Sequence, residues 1–146
     1  MNHPRIIIDS SVAIKWYLPD ESDDRALKIK SDFADGTILL VVPLLFFYEI
    51  SNILRTTTKS LRITREDSIK AYQDLMELHF IIYSSKELFT AAFKQALVLD
   101  LTAYDANYIV LAEYLQIPFY TADEKLVKKA SSKLVKSLDD YLNNIE

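Results

Sequence analysis

Four carboxylates stand where an α/β chain tends to put its reacting groups. Asp9 ends the isoleucine run of "IIIDSS", Glu49 lies in "LLFFYEISNIL", Asp105 in "LTAYDANY", and Asp123 follows "IPFYTA". Two of them have an ordinary explanation. Asp9 can cap a helix "SSVAIKW", although Ser10 or Ser11 could do the same, and Asp123 can cap "DEKLVKKA". Glu49 resists such an account. On a helical wheel Leu45, Phe46 and Ile53 fall within roughly 60° of it, whereas Ser51, Arg55, Thr58 and Lys59 lie roughly 80–160° away. A carboxylate on the apolar side of its helix needs a partner, because burying it alone is costly. Asp105 is intermediate. Leu101, Tyr108, Ile109 and Ala112 surround it on the wheel, and Thr102 three residues earlier resembles a capping box.

The elements that carry these acids bring them together. "RIIID", "TILLVV", "FIIY" and "IPFYT" read as short buried strands, and "KLVKS" as an edge strand. The stretches "ESDDRALKIKSDFA", "LLFFYEISNILRTTT", "TREDSIKAYQDLMEL", "SKELFTAAFKQALVL", "TAYDANYIVLAEYL" and "DEKLVKKA" read as helices, as does the tail. Thr64 to Asp67 is shaped like a capping box. Continuous apolar strands separated by helices predict a parallel sheet covered on both faces, an α/β/α sandwich. All strands of such a sheet end at one edge, and ligands bind there, where the strand order reverses. Asp9 and Asp123 directly follow strands, and Glu49 and Asp105 lie early in helices beside that edge. Four like charges share a crevice only when protonated or neutralised by cations. Oxygen donors without His or Cys select hard ions, Mg²⁺ or Mn²⁺. A pair of such ions serves in-line displacement at phosphorus.

Composition removes several other classes. The chain has 146 residues and reads as a single domain over 1–146, with a single glycine, Gly36, and no linker-like stretch. One glycine excludes the glycine-rich phosphate loops. The absence of cysteine excludes disulfides and thiolate chemistry. No apolar run reaches the roughly 18 residues of a membrane span, and "MNHPR" does not read as a signal peptide, so a cytoplasmic protein with no membrane partner is expected. A net charge of −4 argues against a nucleic-acid coat protein but permits local contacts. Lys125, Lys128, Lys129, Lys133 and Lys136, and separately Arg55, Lys59, Arg62 and Arg65, read first as solvated faces. His3 and His79 read as structural, and neither is near Ser10 or Ser11 in sequence, which disfavours a serine hydrolase. A receiver domain would need an acceptor Asp after the third strand, where "FIIYSS" has serines.

"IIIDSSVAIKW", "VPLLFFYEISNIL", "LTAYDANYIVLAEYL" and "FYTADEKL" together resemble the four blocks of PIN-domain ribonucleases, in the family's order and over residues 6 to about 126. The closest resemblance is to VapC-type toxins of type II toxin–antitoxin pairs. The resemblance implies a PIN-like α/β/α sandwich with a parallel sheet of about five strands. It implies an acidic quartet at Asp9, Glu49, Asp105 and Asp123, serving as catalytic residues and metal ligands. Asp123 falls on the family's most variable acid, and Glu124 is the alternative. Ser11 and Thr121 match supporting polar positions. The implied activity is Mg²⁺- or Mn²⁺-dependent hydrolysis of RNA phosphodiesters, in which hydroxide attacks phosphorus and the 3′ oxygen leaves. The implied partners are an RNA substrate, a cognate antitoxin and a second copy in a homodimer. Two alternatives remain open: a PIN-like metal- or protein-binding module without ribonuclease turnover, and a metal-dependent phosphatase.

The helix around Glu49 carries one more expectation. Its apolar arc, from Leu45 through Phe46, Ile53 and Ile50 to Leu54 and Phe47, spans roughly 200°, against somewhat over 100° for an ordinary surface helix. The excess predicts a groove with "SIKAYQDLMEL" that takes an amphipathic antitoxin segment, with Phe47 or Leu54 exposed in it.

Overall fold

The computed structural model describes residues 3–143. Five strands, β1 (Arg5–Ile8), β2 (Leu39–Pro43), β3 (Ile81–Tyr83), β4 (Phe119–Thr121) and β5 (Val135–Ser137), form one sheet in the order β3-β2-β1-β4-β5. Every pairing is parallel. The sheet is covered on both sides, as the apolar runs require. Ile6, Ile7 and Ile8 are all buried, and so are Leu40, Val41 and Val42. Successive strand side chains point to opposite faces, so both faces must be packed. The result is the expected α/β/α sandwich.

Among the described residues seven α-helices connect and cover the strands: α1 (Ser10–Ala13), α2 (Asp24–Ala34), α3 (Leu45–Lys59), α4 (Arg65–Glu77), α5 (Lys86–Leu99), α6 (Ala103–Leu115) and α7 (Glu124–Ala130). Local chemistry sets their ends. Asp23 caps α2 through the N–H groups of Arg25 and Ala26, Thr64 caps α4, Ser85 caps α5 and Thr102 caps α6. Helix α2 therefore starts later than the sequence pattern suggested. Pro19–Glu21 forms a separate 3₁₀ turn, because the Asp23 cap fixes where the α-helix begins. The tail is also helical, as a 3₁₀ segment over Leu138–Asn143.

β1 lies at the centre of the sheet. The chain leaves it toward β2 and β3 on one side, then returns to place β4 and β5 on the other. The order therefore reverses at β1, and a crevice opens above its C-terminal end and that of β4. Asp9 follows β1 and Asp123 follows β4, so both stand at that crevice. No helix among the described residues is long and apolar enough to cross a membrane.

Candidate active site

The crevice is built on hydroxyls. Asp9 is the N-cap of α1, accepting from the Ser11 N–H at 3.1 Å. The Ser11 hydroxyl donates to the same Asp9 oxygen, and the Thr121 hydroxyl donates to the other at 2.6 Å. Ser11 Oγ lies 3.3 Å from Thr121 Oγ1 and accepts from the Ala122 N–H, while Thr121 Oγ1 accepts from the Asp123 N–H. This network joins the ends of β1 and β4 and fixes the Asp9 carboxylate at their junction. Thr121 is fully buried and Asp9 only 6% exposed.

Burial pushes the Asp9 carboxyl up to about 6, with Asp105 adding to the rise and the Ser11 and Thr121 hydrogen bonds opposing it. Glu49, in the second turn of α3, is half-buried as its wheel position predicts. Burial pushes it up to about 7; the Tyr108 hydrogen bond opposes the rise, and the charges of Asp9 and Asp105 add to it. Asp105 is in the first turn of α6 and is likewise raised, by burial first and then by Asp123. The Thr102 cap on its N–H, expected from sequence, is present. Asp123 is exposed and caps α7 through the N–H groups of Lys125 and Leu126, yet its charge reaches Asp105. The four acids therefore act on one another electrostatically. None of them is in an ion pair among the described residues, although seven other acids are.

Glu124, the alternative fourth acid, accepts a hydrogen bond from the buried Ser137 hydroxyl on β5. That bond ties it toward the outer strand, whereas Asp123 couples directly to Asp105. Of the two adjacent acids, it is Asp123 whose charge reaches the other three through Asp105.

Side-chain oxygens do not converge into a finished cage. No three His, Cys, Asp or Glu side chains among the described residues are grouped closely enough to hold a metal ion. The bridging of one ion by Asp9, Glu49 and Asp105, expected from the shared sheet edge, is therefore not preformed. The reason lies in where the oxygens are held. Both Asp9 oxygens face hydroxyls, and the Tyr108 hydroxyl holds Glu49 Oε1. The donor set still suits a hard divalent cation. It is all oxygen and mutually repelling, and Asp9 Oδ2 and Glu49 Oε1 each keep a lone pair beside their hydroxyl hydrogen bond.

Tyr108 is the residue the sequence reading underused. It is 1% exposed, stacks on Phe119 of β4 with ring centroids 5.3 Å apart, and donates its phenol to Glu49. A signal was present. Tyr108 stands one helical turn after Asp105, where a plain core position would more simply hold a hydroxyl-free aromatic.

The apolar arc of α3 is mostly consumed inside the fold, which corrects the expectation of exposed Phe47 or Leu54. Phe46, Ile50 and Leu54 are buried, and Phe47 is half-buried against Phe46 and Phe80. Phe80, just before β3, supplies the partner that a wheel for α3 alone could not show. A groove of about 260 Å³ does run between α3 and α4, lined by Ser51, Leu54, Arg55, Ile69, Tyr72 and Gln73. Its exposed apolar residue is Ile69 of α4.

Comparison with known proteins agrees with this arrangement. Over 127 residues the chain is 26% identical to Ribonuclease VapC3 of Pyrobaculum aerophilum, an alignment covering 86% of this chain and 94% of that protein. The fold superposes on the crystal structure of PAE2754 from Pyrobaculum aerophilum with a TM-score of 0.71 at 19% identity, covering 97% of this chain and 96% of the other. It also superposes on VapBC-1 from nontypeable Haemophilus influenzae with a TM-score of 0.66 at 16% identity, covering 92% and 98% respectively. The sequence profile of the PIN domain matches residues 6–132, which include all four acids; the chain belongs to the PIN domain family.

Proposed function

We propose that this protein is a metal-dependent endoribonuclease, the toxin of a toxin–antitoxin pair, and that Asp9, Glu49, Asp105 and Asp123 form its active site. One observation carries the reading. A buried aspartate at the switch point of the sheet has two hydroxyl partners, no ion-pair partner among the described residues, and two further carboxylates in its field. Such a group is costly without a function. The relative named as a ribonuclease supports the substrate class.

Asp9, Glu49 and Asp105 would hold Mg²⁺ or Mn²⁺, with Asp123 completing the crevice. A bound divalent ion supplies a hydroxide nucleophile near neutral pH and stabilises the charge that develops on the leaving oxygen. The chain's own residues do the positioning. Ser11 and Thr121 fix the Asp9 carboxylate, Tyr108 fixes that of Glu49, and β1 and β4 give them a rigid base. The protein would act in the cytoplasm as one domain over 1–146.

The two partner expectations have separate surfaces. The groove between α3 and α4 is offered to the antitoxin. Helix α5 presents Phe89, Phe93 and Leu97 at four-residue spacing, each more than half exposed, and that ridge is offered to a second copy.

The test is cleavage of single-stranded RNA by the purified protein in Mg²⁺ or Mn²⁺ and in EDTA, with Asp9→Asn and Glu49→Gln as controls. Metal-dependent cleavage abolished by both substitutions is expected. RNA binding without cleavage at any metal concentration would favour the non-catalytic module. Turnover of p-nitrophenyl phosphate with intact RNA would favour the phosphatase.

A further inference from the structure

A second cavity adjoins Glu49. It has a volume of about 540 Å³ and is lined by Leu45, Tyr48, Glu49, Asn52 and Tyr104. Two features set it apart. Tyr48 is 73% exposed and Tyr104 65% exposed, so neither ring is spent on the core. Each also directly precedes an acid of the site, Tyr48 before Glu49 on α3 and Tyr104 before Asp105 on α6. Glu49 itself lines the cavity, so whatever lies on these rings lies against that carboxylate. Scattered exposed aromatics are common and need no account. Two tyrosines that line one cavity with an active-site acid are a different matter.

The lining determines what fits. It contains no lysine or arginine, and its single charge is the Glu49 carboxylate. A phosphate is repelled there. A flat, uncharged group that can stack on a phenol ring and hydrogen-bond an amide is favoured, and Asn52 offers both a donor and an acceptor. We propose that the crevice formed by Tyr48, Tyr104, Leu45 and Asn52 is a subsite for an unpaired nucleobase of single-stranded RNA, seated next to the cleaved phosphodiester. This rests on the ribonuclease reading above. Tyr48 and Tyr104 stack on the base and Asn52 contacts its edge. Bases in an A-form duplex are stacked on one another and withheld from such a pocket, so the subsite selects unpaired RNA.

The experiment measures binding apart from turnover. Fluorescence anisotropy in EDTA reads the affinity of the parent protein for a single-stranded RNA and for the same sequence as a duplex. Tyr48→Ala, Tyr104→Ala, the double variant and Tyr48→Phe are compared with it, and a 2-aminopurine placed at the cleavage position reports stacking. Each alanine variant should bind single-stranded RNA at least about fivefold more weakly, as loss of one stacked base implies. Tyr48→Phe should bind like the parent, the 2-aminopurine quench should be lost in the double variant, and KM in Mg²⁺ should rise more than kcat falls. Thermal melting should be unchanged, because both rings are largely exposed. Parent-like affinity in the double variant overturns the subsite while leaving the ribonuclease reading intact. Tighter binding of the duplex also overturns it. So does unchanged RNA affinity with weakened antitoxin binding, which assigns the rings to a protein partner. A parent protein that neither binds nor cleaves RNA removes the ribonuclease reading and the subsite with it.

Discussion

Asp9 and Asp32 are both buried aspartates with tyrosine or threonine hydroxyls on their oxygens, and they end in opposite states. Asp32, 4% exposed on α2, takes a hydrogen bond from Tyr141 at 2.8 Å and an ion pair from Lys28 one turn away. Burial pushes its carboxyl up, but the Lys28 and Tyr141 bonds outweigh that and leave it below the usual range. Asp9, 6% exposed, has hydroxyls and backbone N–H groups, and its neighbours in charge are other acids. Its carboxyl is pushed up to about 6. One buried acid brings its own cation and clips the C-terminal segment to α2. The other has no ion-pair partner among the described residues. Burial by itself does not mark a functional acid; burial without a positive partner, beside further acids, marks a candidate.

The sharpest way to break this contrast is to neutralise each acid in turn. Asp9→Asn should reduce RNA cleavage to assay background, whereas Asp32→Asn should leave kcat within about twofold, since it lies outside the crevice. The stabilities should move oppositely. Metal-free Asp9→Asn should gain on the order of 1–3 kcal/mol at pH 7, because a buried charge, disfavoured enough to push the carboxyl up to about 6, is removed. Asp32→Asn should lose about 1–3 kcal/mol through its charged hydrogen bonds. Denaturant melts of both proteins check this, and a loss of stability in both would end the comparison.

Next in size is the role of Tyr108. Tyr108→Phe keeps the ring stacked on Phe119 and removes the hydroxyl from Glu49. Mn²⁺ affinity, read by titration, should fall about 10- to 100-fold, as for other groups that orient a metal ligand. Unaltered Mn²⁺ binding would show that Glu49 needs no such support.

pH gives a smaller and graded effect. The folded values of about 6 for Asp9 and about 7 for Glu49 lie above their ordinary 3.8 and 4.5. Between these limits the folded state binds more protons than the unfolded one. Metal-free stability should therefore fall as pH rises from about 4 to about 7 through these two groups. Asp32, held low, acts in the other direction: its contribution is present above its ordinary 3.8 and is lost on acidification below that. Mg²⁺ competes with the protons on Asp9 and Glu49, so the ion's stabilising effect should grow over the same rise in pH. A metal-induced shift in melting temperature that is independent of pH would place the ion elsewhere.

The smallest expected difference separates the adjacent acids of α7. Asp123→Asn should weaken cleavage severalfold, since an asparagine still caps the helix and only the charge near Asp105 is lost. Glu124→Gln should have less effect, as its carboxylate is engaged with Ser137. The reverse order would make Glu124 the fourth acid.

Much of this was legible in the sequence because it depends on short-range chemistry. Apolar runs such as Ile6–Ile8 fixed the buried strands, and Thr64 and Thr102 fixed helix starts through bonds to N–H groups three residues away. Glu49's place on the apolar side of α3 followed from helical period alone. The parallel sheet followed from strands alternating with helices, and with it the edge at which Asp9 and Asp123 must meet.

What the sequence left open depends on contacts across long separations. Tyr108 meets Glu49 across 59 positions and Thr121 meets Asp9 across 112, and no local periodicity encodes either bond. Phe80 covers Phe47, so an apolar arc that looked excessive on α3 alone became core. The pairing of Tyr48 with Tyr104 in one cavity required α3 and α6 to be placed side by side. Local pattern decides which elements form and which face of each is apolar; only packing decides which faces meet, because that depends on volumes and partners contributed by the whole chain.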